Sequence, residues 1–148
     1  MVSLGTEPDT WATATGKEAD LPTIYRYRKN RPNARLSDEI LSHALRVVWE
    51  YDGSSRNGMP EAAVNEAQIG FEDAIEPLCE GSLGCLVLVF SGNSRKEWLF
   101  YTPSPDMWAA KLTKLLARHP PYPLLIENWA DPEWTTWQNF TRSVTDES

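Results

Sequence analysis

The side chains best suited to chemistry in this chain gather near its C-terminus. Asp131 and Glu133 set two carboxylates on alternate residues, an arrangement that could serve general acid–base catalysis or hold a weak cation. With His119 as a third group, they would make a small hydrolase or transferase with its site in a cleft between the last strand and the last helix. The same residues have a simpler use. Asp131 can accept main-chain N–H bonds as the N-cap of a short helix, Pro132 fits the first helical position, and Glu133 complements the positive end of the helix dipole. Trp134 and Trp137, three apart, can then pack side by side. His119 at the C-terminal end of a helix likewise complements the dipole. These capping roles outweigh the catalytic one.

The other reactive types are sparse. Cys79 and Cys85 could form a redox pair, but Cys85 opens an apolar strand, where a thiol behaves as a small hydrophobe. Two cysteines and two histidines, His43 and His119, make no zinc-ligand spacing. The sequence holds no phosphate-binding glycine loop, no H-E-x-x-H and no G-x-S-x-G elbow. No cofactor and no metal site is expected. Tyr25, Arg26, Tyr27 and Arg28 interleave aromatics with guanidinium groups, as an RNA-binding strand does. Period-two alternation explains them better as a half-solvated edge strand, with Tyr25 and Tyr27 on one face and Ile24, Arg26 and Arg28 on the other.

The elements that would position these groups follow from hydrophobic periodicity. Trp11 to Thr15 and Thr23 to Arg28 read as two short strands, joined across the Gly16 to Pro22 connection. Ser37 could cap a single helical turn. Leu45, Val47, Trp49 and Tyr51 alternate as the buried face of a strand. A helix is predicted from about Pro60 to Cys79, with Val64, Ala67, Phe71, Ala74, Ile75 and Leu78 as its apolar stripe and an irregular last turn at Pro77. Cys85 to Phe90 is an uninterrupted apolar run, the mark of a central strand covered on both faces. Glu97 to Tyr101 should pair back across a hairpin. Ser104-Pro105-Asp106 opens a helix carrying Trp108, Leu112, Leu115 and Leu116, stopped by Pro120 and Pro121. Leu124 to Trp129 is the last strand. The order from Leu45 predicts an α+β, ferredoxin-like split β-α-β-β-α-β antiparallel sheet with two helices on one face. An N-terminal strand pair and a short C-terminal helix would be added to it. Residues 11–142 then form one domain, with 1–10 and 143–148 as flexible ends.

Composition narrows the function further. The 148 residues carry 14 basic and 21 acidic side chains, a net charge of −7. Five of the basic residues lie between Leu21 and Ser37, where no acid occurs, leaving 9 basic against 21 acidic elsewhere. An acidic body repels nucleic acid and favours a basic protein partner. No apolar run approaches the roughly 20 residues that span a bilayer, and the N-terminus has no signal-peptide pattern. A cytoplasmic protein without a membrane partner is expected. Of the seven tryptophans, Trp49 and Trp98 fit the core. Trp129, Trp134 and Trp137 cluster near the C-terminus, where an exposed subset would mark an interface, although burial is the commoner fate of tryptophan.

These residues also carry a family resemblance. Arg95-Lys96-Glu97-Trp98-Leu99-Phe100-Tyr101, the helix to Leu116, the Pro121-Tyr122 entry to a strand, Asp131-Pro132-Glu133-Trp134 and Phe140 resemble the bacterial family catalogued as domain of unknown function 695. Trp11 resembles that family's early tryptophan. Thr141-Arg142-Ser143 stands where the family continues with Tyr-Pro. The resemblance brings no catalytic residues. It implies an architecture similar to the regulator of ribonuclease E activity B group, small acidic ferredoxin-like proteins that act by binding an enzyme.

Together these readings predict a non-enzymatic inhibitor or immunity-type protein that docks on a basic partner, such as a nuclease or toxin, and blocks it. The expected contacts are Glu72, Asp73 and Glu76 on the first long helix and Asp131, Glu133 and Trp134 at the C-terminal corner. An open edge strand would also permit a homodimer.

Overall fold

The structure is a computed structural model that describes residues 11–29, 41–79 and 83–146. The Ser37 helical turn and the flexible N-terminus expected above lie outside these residues. The α+β class holds: six strands form one antiparallel sheet accompanied by four helices. The strands are β1 (Trp11–Glu18), β2 (Leu21–Arg28), β3 (His43–Glu50), β4 (Cys85–Gly92), β5 (Arg95–Thr102) and β6 (Leu124–Ala130). The helices are α1 (Ala62–Ala74), α2 (Glu76–Cys79), α3 (Pro105–Leu115) and α4 (Thr135–Asp146).

The sheet order is β1-β2-β4-β5-β3-β6. The N-terminal hairpin therefore extends the sheet, through pairing of β2 with β4, instead of covering a face. β3 lies between β5 and β6, so its alternating apolar residues are held from both sides. β1 and β2 reach further than the sequence predicts because the chain continues extended through Gly16 and reverses only at Ala19 and Asp20, with φ of 51° and 66°. Asn93 and Ser94 do the same between β4 and β5, with φ of 48° and 65°. Paired left-handed residues give a two-residue turn whose twist matches that of the strands.

Both sheet faces are packed. One carries α1, α2 and α3, and its core joins Leu45, Val47, Trp49, Val89, Trp98 and Phe100 to Phe71, Ile75, Leu78, Trp108 and Leu112. On the other, Ala44, Val87, Leu99 and Tyr101 meet Leu41, Trp134 and Trp137. A bulge between Leu86 and Leu88 shifts the β4 register against β5. Val87 and Leu88 both serve the second core, while Leu86 and Val89 serve the first.

The helix expected from Pro60 begins at Ala62 and breaks at Ile75. Pro77 has no N–H to continue the ladder and its ring crowds the carbonyl of Asp73, so the chain restarts as the single turn α2. α3 starts as its sequence predicts, with Ser104 Oγ accepting the Met107 N–H at 3.2 Å and Pro105 in the first turn. The C-terminal helix runs past the expected boundary at 142, because Thr135 to Asp146 contains neither glycine nor proline. No helix among the described residues is long and apolar enough to cross a membrane.

Candidate functional site

The C-terminal corner is built around one buried carboxylate. The Asp131 N–H donates to the Ser42 carbonyl at 2.8 Å, and the Trp134 N–H closes a turn back to the Asp131 carbonyl at 3.0 Å. That turn puts Trp134 at a φ of 59°, a left-handed conformation that is strained for so bulky a residue. The Trp134 carbonyl accepts the Gln138 N–H at 2.9 Å, so the N-cap position belongs to Trp134. The capping oxygens nevertheless come from Asp131. Its Oδ1 accepts from the Thr135 N–H at 2.7 Å and its Oδ2 from the Thr136 N–H at 3.1 Å. Pro132 and Glu133 form the intervening turn and are not helical, a correction to the simple N-cap expectation.

The turn drives the Trp134 ring inward. It stacks on Tyr101 with centroids 4.1 Å apart and planes 7° apart, and its Nε1 donates to the Leu41 carbonyl at 2.8 Å. Trp137 Nε1 donates to the Arg28 carbonyl at 3.0 Å. Tyr101 Oη donates to Asp131 Oδ2 at 2.6 Å. Burial raises the Asp131 pKa, but the Tyr101 hydroxyl and the Thr135 and Thr136 N–H groups outweigh it and hold the carboxyl below its ordinary range. Burial and the neighbouring carboxylate push the Tyr101 hydroxyl up. Both carboxylate oxygens of Asp131 are thus occupied in holding this corner together.

His119 is remote from it. Its Nδ1 lies 3.1 Å from Tyr122 Oη, ahead of β6, whereas Asp131 follows the other end of that strand. Seven strand residues separate the two ends, about 20 Å at the rise of a β-strand. Asp131, Glu133 and His119 therefore share no cleft. Two clefts border α4 instead. One of about 220 Å³ lies between Ala14, Gly16, Lys17, Tyr25, Phe140 and Val144, and one of about 50 Å³ lies between Arg46, Leu88, Glu97 and Thr136.

The Tyr/Arg strand does not present the surface that RNA binding needs. β2 is interior to the sheet, and Phe140 of α4 covers both Tyr25 and Tyr27 at centroid distances of 5.1 Å. Arg28 is buried, donating Nε to the Leu86 carbonyl at 2.7 Å and lying over the Trp11 ring. The expected division of faces is observed; the expected edge position is not. Cys85 is buried and Cys79 Sγ lies 3.5 Å from the Ile75 carbonyl. Among the described residues no group of three or more His, Cys, Asp or Glu side chains could hold a metal ion.

The six expected contact residues divide between opposite faces of the sheet. Asp131 and Trp134 are buried at the corner, with exposures of 6% and 1%, so neither offers a contact surface. Glu133 is exposed beside them. Across the sheet, Glu72 turns inward: it accepts from Trp98 Nε1 at 2.8 Å and pairs with Lys96 Nζ at 3.3 Å and with Arg26 at 3.9 Å. Asp73 and Glu76 remain exposed. Two residues join them that the sequence reading did not single out as contacts. Glu66 and Ile69 precede Asp73 at helical spacing, and Ile69 is 47% exposed between the two acids. The available signal was charge segregation, since the stretch between Arg56 and Arg95 holds Glu61, Glu66, Glu72, Asp73, Glu76 and Glu80 and no basic residue.

The sequence matches the model of a family of unknown function, DUF695, over residues 9–141, and the chain belongs to that family. No curated protein matches it.

Proposed function

We propose that this protein is a non-enzymatic binding module that docks on a basic protein and blocks it, as an inhibitor or immunity-type protein does. The observation that carries the proposal is the outer face of α1, where Ile69 stands exposed between Glu66 and Asp73, with Glu76 following at the start of α2. An apolar side chain ringed by like charges supplies a desolvated centre and an electrostatic rim, the usual division of labour in an interface. The acids steer a cationic partner and oppose its basic groove. Glu72 serves the same surface from within, because its ties to Trp98 and Lys96 hold α1 against the sheet. At the far corner, Glu133 is the exposed member of the second expected cluster.

The test compares wild-type protein with a Glu66→Lys, Asp73→Lys, Glu76→Lys variant as bait in the native host at moderate salt. A basic enzyme retained one to one by the wild type should be silenced on binding. Its affinity for the variant should fall on the order of 10- to 100-fold. Equal retention by both baits removes the α1 surface from the proposal. A retained partner that keeps full activity removes the inhibitor role.

A further inference from the structure

We propose that two copies of this chain pair antiparallel along the outer edge of β6, centred on Ile126. The inference stands apart from the acidic face of α1 and concerns the end of the sheet. β6 pairs only with β3 among the described residues, and its sequence from Leu124 to Ala130, whose one charged side chain, Glu127, is tied to Arg46, contains no proline or lysine. Those are the usual devices that blunt an edge. Two of its large apolar residues face solvent, Leu125 at 60% and Ile126 at 43% exposure. The opposite edge, β1, is protected: its solvent-facing residues are Thr13, Thr15, Gly16 and Lys17.

The main chain narrows the register. Asp131 donates to the Ser42 carbonyl, so in an antiparallel ladder Leu125, Glu127 and Trp129 turn their N–H and C=O groups toward β3. Leu124, Ile126, Asn128 and Ala130 turn theirs outward. The Leu124 N–H is held by the Tyr122 carbonyl at 2.9 Å, which leaves Ile126, Asn128 and Ala130 as the residues whose outward donors can bond a new strand. Centred on Ile126, two strands exchange both bonds between the two Ile126 residues, and each Asn128 N–H reaches the Leu124 carbonyl of the other copy. Leu125 then lies across from Glu127, whose carboxylate is held by Arg46 at 2.6 Å. Centring on Glu127 would set two carboxylates opposite each other, centring on Leu125 would call on the Leu124 N–H already in use, and centring on Asn128 would set the exposed Ile126 against Ala130 and not against its own copy.

Sedimentation equilibrium from low micromolar to near-millimolar concentration tests this. The wild-type mass should rise from the 16.8 kDa of one chain toward that of two. Ile126→Pro deletes an outward donor and no β3 bond, and Leu125→Glu sets a like charge across from Glu127 of the other copy at an exposed site; each should hold the mass at one chain with an unchanged near-ultraviolet spectrum. The single-chain mass for wild type at every concentration overturns the proposal. So does a dimer that survives Leu125→Glu, or one that is broken by Thr15→Pro on β1 instead.

Discussion

Tyr101 and Asp131 meet in a hydrogen bond of 2.6 Å from which water is all but excluded, and that bond couples the central strand β5 to the first turn of α4. Asp131→Ala removes the cap and strands the Tyr101 hydroxyl, and should cost about 2–4 kcal/mol. Tyr101→Phe leaves the carboxylate its two N–H donors and should cost about 1–2 kcal/mol. Urea unfolding of the two variants and their double mutant measures both losses, which should be less than additive.

Acid sensitivity should begin at the end of β1. Arg95 and then Asn93 hydrogen-bond Glu18 and hold its carboxyl down from 4.5 to about 2. A depressed carboxyl stabilises the fold above its unfolded value and loses that contribution as pH falls through the folded one. Stability should therefore decline as pH drops from about 4.5 toward 2, and Glu18→Gln should flatten the decline. Asp131, also lowered, adds a fall of the same sign that Asp131→Asn removes. Thermal unfolding across this range separates the two.

Gln68 on α1 is fully buried, and neither its Oε1 nor its Nε2 has a hydrogen-bond partner. Methionine fills nearly the same volume without polar atoms to satisfy. Gln68→Met should stabilise the protein by about 1–3 kcal/mol, seen as a higher midpoint in chemical denaturation.

The β1–β2 turn places Ala19 and Asp20 at positive φ, where alanine is strained and aspartate less favoured than glycine. Ala19→Asn with Asp20→Gly supplies the pair that such a turn prefers and should add about 0.5–1 kcal/mol. The matching change at Ser94 should not help, because Ser94 Oγ also accepts the Gly53 N–H at 3.2 Å. Denaturation midpoints of the two turn variants give the comparison.

What the sequence disclosed was whatever a local period or cap could encode. Leu45, Val47 and Trp49 announced the buried face of β3, the run from Cys85 announced a strand covered on both sides, and Ser104 announced its helix. Long-range placement was hidden. Leu124 to Trp129 reads as a strand, but its place at the sheet edge depends on which strands pair across the sheet, and no local pattern encodes that. Asp131 was legible as a cap but not as one acting across a turn, since only the burial of Trp134 against Tyr101 decides where the helix begins. The inward turn of Glu72 rests on Lys96 and Trp98, which lie far along the chain and share no local signal with it.

Trp134 reaches back 93 residues to the Leu41 carbonyl, and Trp137 reaches back 109 residues to that of Arg28. β3 likewise waits for β5 on one side and β6 on the other. Such distant closures are slow to form, since loop entropy is spent before the contacts repay it. During synthesis the hairpin of β1 and β2 can form early, but the second core has no tryptophan corner until α4 has left the ribosome. The chain is thus committed to folding late, and a truncation that removes only α4 and its turn would expose the Tyr101 side of the sheet.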